Sequence, residues 1–202
     1  MDTKTITLII AFAALTIALN TIRIPTIYWP GFYYRVYEIP IVVAFLLFGP
    51  KVGSLVTILN LFGQMVFFQV PGGIVAYPFG LIAILTMMFG VYLANALIKS
   101  RFRSESTPRE GRIVIYLTVL GVAFRAAIMP FLDFGLLYHF LLPVALGRTF
   151  TEAYMVGLLP GMIVFNATVP LYTIPISYFV AKRVNKSLRL SSSQQGIQNF
   201  AF

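Results

Sequence analysis

Arg125 stands inside an apolar run, residues 113–132, where a guanidinium is costly unless something compensates it. It lies thirteen residues after Arg112, or about 20 Å up a helix rising 1.5 Å per residue. A charge that deep marks a candidate functional site and demands a partner. Two carboxylates qualify: Glu38, at the head of the run 37–49, and Asp133, two turns past Arg125. Arg35 precedes Glu38 by about one turn, Asn60 and Gln64 form an i, i+4 pair on one helix face, and Asn166 lies a few turns into the last run. Ionised carboxylates only accept hydrogen bonds and guanidinium groups only donate them, so the set is suited to holding a polar molecule. A few polar groups fixed on an apolar wall are what a ligand pocket requires. The plainer reading stays open beside this one. Arg125 can pair with Asp133 or Glu38 as a structural ion pair, and the amides can bridge helices, each such bond averaging about 0.6 kcal/mol in a membrane bundle.

Catalytic signatures are missing. The sequence has no G-x-x-x-x-G-K-[ST] phosphate loop, no H-E-x-x-H metal pair and no G-x-S-x-G elbow, and its one histidine, His139, falls in an expected outer loop. With no cysteine, thiol catalysis, disulfides and cysteine-ligated metals are excluded. The chain is not expected to be an enzyme or to carry a cofactor, and any ATP hydrolysis belongs to partner subunits.

The elements that must position these residues follow from composition. Of 202 residues, 59% are hydrophobic and 10% charged, against about a quarter charged in a soluble domain. Runs at 5–24, 37–49, 52–68, 74–98, 113–132 and 157–181 approach the ~20 apolar residues of a membrane-spanning helix. The expected fold is therefore all-α: a polytopic bundle of six transmembrane helices in the lipid bilayer. The second and third runs are short enough to be tilted, interrupted or buried by neighbours. With six spans, eleven Lys and Arg side chains fall on one side, three (Arg23, Arg35, Arg148) on the other and Arg125 within a span. Basic residues are held on the cytoplasmic side, which predicts N-in/C-in in the plasma membrane. The same rule accounts for the net charge of +9, so nucleic acid is not an expected partner.

The first run continues through Asn20 to Arg23 and Pro25 without a small-residue cleavage site, so it reads as a span rather than a cleaved signal. Residues 1–189 form one expected membrane domain, with a basic loop at 99–112, and 190–202 a polar cytoplasmic tail expected to be disordered. Gly49-Pro50-Lys51 and Pro71-Gly72-Gly73 predict tight turns. Residues 21–36 carry Tyr28, Trp29, Phe32, Tyr33 and Tyr34, either as an aromatic belt at headgroup level or as a lid over a small molecule. Ala11, Ala14 and Ala18 make a smooth stripe on the first run, suited to close helix approach within the chain or by a membrane partner. No internal repeat of the inverted-repeat transporters is present.

Together these segments resemble the substrate-binding S components of energy-coupling factor (ECF) transporters. The resemblance covers nearly the whole chain. It rests on Ala14-x-x-x-Ala18, on Glu38-Ile39-Pro40 leading to Phe45-Leu46-Leu47-Phe48-Gly49-Pro50, on Arg125-Ala126-Ala127-Ile128-Met129 ending near Asp133, and on Leu158-Leu159-Pro160 to Phe165-Asn166. It implies high-affinity capture of a vitamin-like small molecule, with a membrane coupling subunit and two ATPase subunits supplying the work and the Ala14 and Ala18 face meeting the coupling subunit. Within the family the chain is most similar to the riboflavin type. There an asparagine stands where Asp133 is found, and a lysine follows Phe-Asn where this chain has Val169. Arg35-Val36-Tyr37-Glu38 also resembles the Arg-x-Ser-Glu of queuosine-precursor S components, with Tyr37 in place of serine. Glu38 and Asp133 suit a ligand with a cation or several donors. Two readings of other classes stay open: a membrane-embedded enzyme using Glu38, Asp133 and Arg125 on a lipid-linked substrate, and a stand-alone facilitator.

Overall fold

The computed structural model describes residues 3–26, 33–68, 73–101, 110–147, 149 and 151–188. The ring-bearing positions Tyr28, Trp29 and Phe32, the Pro71-Gly72 turn, most of the basic loop, Arg148 and the tail after Leu188 lie outside the described residues. In chain order come α1 (Thr3–Leu19), β1 (Arg23–Pro25), β2 (Tyr33–Arg35), α2 (Glu38–Phe48), α3 (Pro50–Phe67), α4 (Gly73–Arg101) and α5 (Glu110–Leu132). A π-helical segment (Asp133–Leu141), α6 (Leu142–Leu146) and α7 (Glu152–Leu188) complete the described chain.

The helix at the centre is the shortest of the principal ones. In α2, nine of eleven residues are buried, Glu38 and the run from Pro40 to Leu47. A helix apolar on all sides belongs in an interior. At 1.5 Å per residue it reaches about 16 Å, roughly half a hydrocarbon core. It is sheathed by α1, α3 and α7, so the polar residue at its head, Glu38, is delivered into the middle of the molecule. Gly49 ends it with φ at 87°, a left-handed value that glycine adopts without Cβ strain, and Pro50 opens α3 at its first turn, where no amide donor is missed.

Opposite α2, α4 and α5 pack very closely. A Cβ at Gly90 would sit 2.4 Å from the Leu120 carbonyl oxygen, which fixes how far α5 can rotate. Gly121, one residue on, faces Ile174 of α7, and Arg125 follows it by one turn on the same buried face.

Three stretches are long and apolar enough to cross a bilayer: Gly73–Arg101, Glu110–Leu146 and Glu152–Ser187. α1 and α2 are shorter apolar helices, so the six runs appear as helices in the expected order but are unequal in reach. Phe131 and Val144 are 80% and 85% exposed, and Phe62, Phe67 and Ile74 are exposed as well. An exterior this apolar belongs in lipid.

One expectation is corrected. The stretch after Leu132, read as an outer loop holding His139, is helical through Leu146. Pro130, three residues before the register changes, lacks the amide donor that an α ladder needs, and the chain continues with π-type pairing from Asp133. His139 is exposed on that segment, its Nδ1 2.9 Å from the Phe134 carbonyl oxygen. The segment 21–36, read as a ring-rich outer connection, contains the two-stranded antiparallel pair β1/β2, with Arg23 opposite Arg35 and Pro25 opposite Tyr33.

Candidate ligand site

Arg125 is 3% exposed and meets Glu38 fork to fork: Nη1 donates to Oε2 at 2.5 Å and Nη2 to Oε1 at 3.2 Å. The planar guanidinium suits this bidentate pairing, which lysine cannot reproduce. Its remaining edge donates from Nε to Asn166 Oδ1 at 3.2 Å. Asn166 in turn donates from Nδ2 to the Met162 carbonyl at 3.0 Å and, at 3.4 Å, to Asp133 Oδ2. Three helices and the π-helical segment thus converge on one network.

The network forms part of the wall of a cavity of about 190 Å³. Arg35, Glu38, Arg125, Asp133 and Asn166 all line it. The rings of Tyr33, Tyr37, Phe79 and Phe165 and the thioethers of Met129 and Met162 supply most of the apolar remainder, with Leu137 beside them. Rings give flat contact area, and methionines adapt to an irregular outline.

No protein-family model matches the sequence, and no curated protein matches it. Among solved structures, the chain matches the S component of a bacterial ECF transporter with a TM-score of 0.71 at 17% identity, over 93% of this chain and 99% of that one. Its fold is that of an ECF S component.

Within this S-component fold, β2 is fastened to α7. Tyr34 shares a 2.9 Å hydrogen bond with Thr168, stacks on Phe165 with centroids 5.8 Å apart and meets the edge of Tyr172. The Tyr172 hydroxyl donates to the Arg35 carbonyl at 3.3 Å, and Ser177 donates to the Ile39 carbonyl at 3.0 Å. These contacts hold the backbone of Arg35 at the cavity while leaving its side chain on the lining.

Asn60 and Gln64 are not on the lining. Asn60 accepts from Asn20 Nδ2 at 2.7 Å, between α3 and α1, and Asn20 also donates to the Thr16 carbonyl at 3.0 Å. Gln64 is buried on α3, outside the lining. Ala11, Ala14 and Ala18 are exposed together on α1, whose other face buries Ile9, Ala13 and Thr16. Among the described residues no group of His, Asp and Glu is arranged to hold a metal ion.

Sequence reasoning passed over the lining residues Phe79, Met129, Met162 and Leu137, because an apolar side chain facing a cavity has the same one-letter signature as one facing lipid. Phe165 and Tyr37 had a signal. Each sits next to a polar residue already singled out, Asn166 and Glu38.

Proposed function

We propose that this chain is the substrate-capture subunit of an ECF-type uptake transporter, and that the cavity around Arg125 holds the captured molecule. The observation that carries this reading is the buried Glu38–Arg125–Asn166 network, reaching Asp133, on the wall of a cavity in a chain with the S-component fold. A bundle that needed only stability would do as well with apolar residues at these positions. The chain is seated in the plasma membrane with six spans and both termini inside. It takes a vitamin-like heterocycle from outside, with a riboflavin-like molecule the finer candidate suggested by Phe165-Asn166 and a queuosine precursor the one suggested by Arg35-Val36-Tyr37-Glu38. Ala11, Ala14 and Ala18 form the face on which a membrane coupling subunit rides, and two ATPase subunits supply the work.

The test is native mass spectrometry of the purified chain, followed by transport assays. A small molecule should co-purify and be lost in Arg125→Ala. Proteoliposomes holding the chain alone should bind this molecule without accumulating it. Accumulation or flux by the chain alone would favour a facilitator, and turnover of a lipid-linked compound abolished by Glu38→Gln would favour an enzyme.

A further inference from the structure

Four ionisable carboxylate and guanidinium side chains line the cavity: Arg35, Glu38, Arg125 and Asp133. Their formal charges cancel, but their pairings are unequal. Arg125 and Glu38 satisfy each other through both terminal guanidinium nitrogens and both carboxylate oxygens, and Asn166 accepts from the Nε of Arg125. Arg35 and Asp133 enter no ion pair among the described residues, and Asp133 accepts a long 3.4 Å hydrogen bond from Asn166. They come from different elements, β2 and the start of the π-helical segment, yet face one space. Charges held beside apolar walls are costly until a counter-charge meets them. An anion alone would match Arg35 and leave Asp133 uncompensated, and a cation alone would do the reverse. The same lining carries the rings of Tyr33, Tyr37, Phe79 and Phe165, which favour a flat body.

Size narrows the class further. The cavity measures about 190 Å³, whereas pockets for drug-sized ligands run from roughly 300 Å³ upward and an engineered cavity of about 150 Å³ already holds benzene. Building on the capture reading above, we propose that this cavity takes a compact dipolar ligand of one or two rings. An anionic or strongly accepting group lies against Arg35, and a cationic or donor group against Asp133. The buried Arg125–Glu38 pair is then the fixed floor of the site, and Glu38 is not the ligand's counter-ion.

The experiment uses the full chain in detergent micelles and a matched set of one-ring and fused two-ring heterocycles. Each scaffold is present bare, as the carboxylate, as the aminomethyl cation and with both groups at opposite ends, and riboflavin serves as a larger probe. Binding is read by calorimetry and by the rise in unfolding temperature. The doubly substituted compounds should bind about tenfold tighter or more than either singly charged relative, as expected for one added charge-assisted hydrogen bond. Arg35→Gln should reduce them to the level of the cations, and Asp133→Asn to the level of the carboxylates. Singly charged compounds binding as tightly, or riboflavin outranking the whole set, would overturn the dipolar assignment and leave capture standing. A wild-type chain that binds no probe and carries no co-purified molecule would overturn both. Because the wild-type ranking is decisive by itself, a variant that fails to fold does not rescue the idea.

Discussion

At the α1/α3 contact, Asn20 gives its amide protons to Asn60 at 2.7 Å and to the Thr16 carbonyl at 3.0 Å; around Arg125, an equally buried cluster also contains a bidentate ion pair, yet opens onto a cavity with Arg35 and Asp133 on its rim. Both clusters join helices distant in sequence, and both look alike as isolated polar letters in apolar runs. The difference lies in closure. The amide cluster bonds helix to helix and is not on the cavity lining, as expected of helix-bridging groups in lipid. The arginine cluster is satisfied at its centre and leaves opposite charges at its edge. Polar residues of the first kind hold a bundle together, and those of the second kind leave capacity for another molecule.

Five variants would break or sharpen that contrast, the four single substitutions in descending order of expected effect on stability. Arg125→Ala strands Glu38 in the interior and should cost about 3–5 kcal/mol, read as a large fall in unfolding temperature in detergent. The double variant Arg125→Met, Glu38→Leu should recover most of that loss, because a well-packed apolar pair often replaces a buried ion pair at little cost, and should still bind no ligand. If the double variant is as unstable as the single one, the pair is not the main partner of either residue.

Gly90→Val would drive a side chain into the Leu120 carbonyl and should cost about 1–3 kcal/mol through forced separation of α4 and α5. Ligand affinity should fall with it, since α5 carries Arg125; unaltered affinity would mean that the cavity tolerates a shifted α5. Asn60→Ala removes one interhelical bond and should cost about 0.6 kcal/mol, at most ~1.7. Affinity should stay unchanged, and a loss of binding larger than the loss of stability would place Asn60 in the site after all. Ala14→Trp, on an exposed face of α1, should leave both unfolding and binding as they are while uptake by the assembled transporter stops. Normal uptake would remove the docking role from that face.

The helices themselves were legible because an apolar run in a chain with so few charges has few other interpretations. Arg125 and its need for a carboxylate were legible for the same reason, and Glu38 was one of two candidates. Choosing between Glu38 and Asp133 required knowing that α2 is interior rather than lipid-facing, and the apolar run from Ile39 to Phe48 reads the same either way. Asn20 escaped notice as the partner of Asn60 because nothing local to α1 points across to α3. The continuation past Leu132 was missed because Pro130 and Gly135 signal a break, and a change of helical register absorbs them without one. Rotation of each helix about its axis decides which apolar residues line the cavity, and it is set by contacts such as Gly90 against Leu120 that involve backbone rather than side-chain chemistry.

That backbone contact also bears on how the molecule can move. With a carbonyl of one helix lodged against a bare α-carbon of the other, α4 and α5 behave as a single strut, and neither can slide or roll without the other. Any rearrangement that admits or releases a bound molecule therefore has to pivot on the other side of the bundle. Spin labels placed across the strut should keep one separation in the loaded and empty protein, whereas labels between the strut and the β1/β2 hairpin should not.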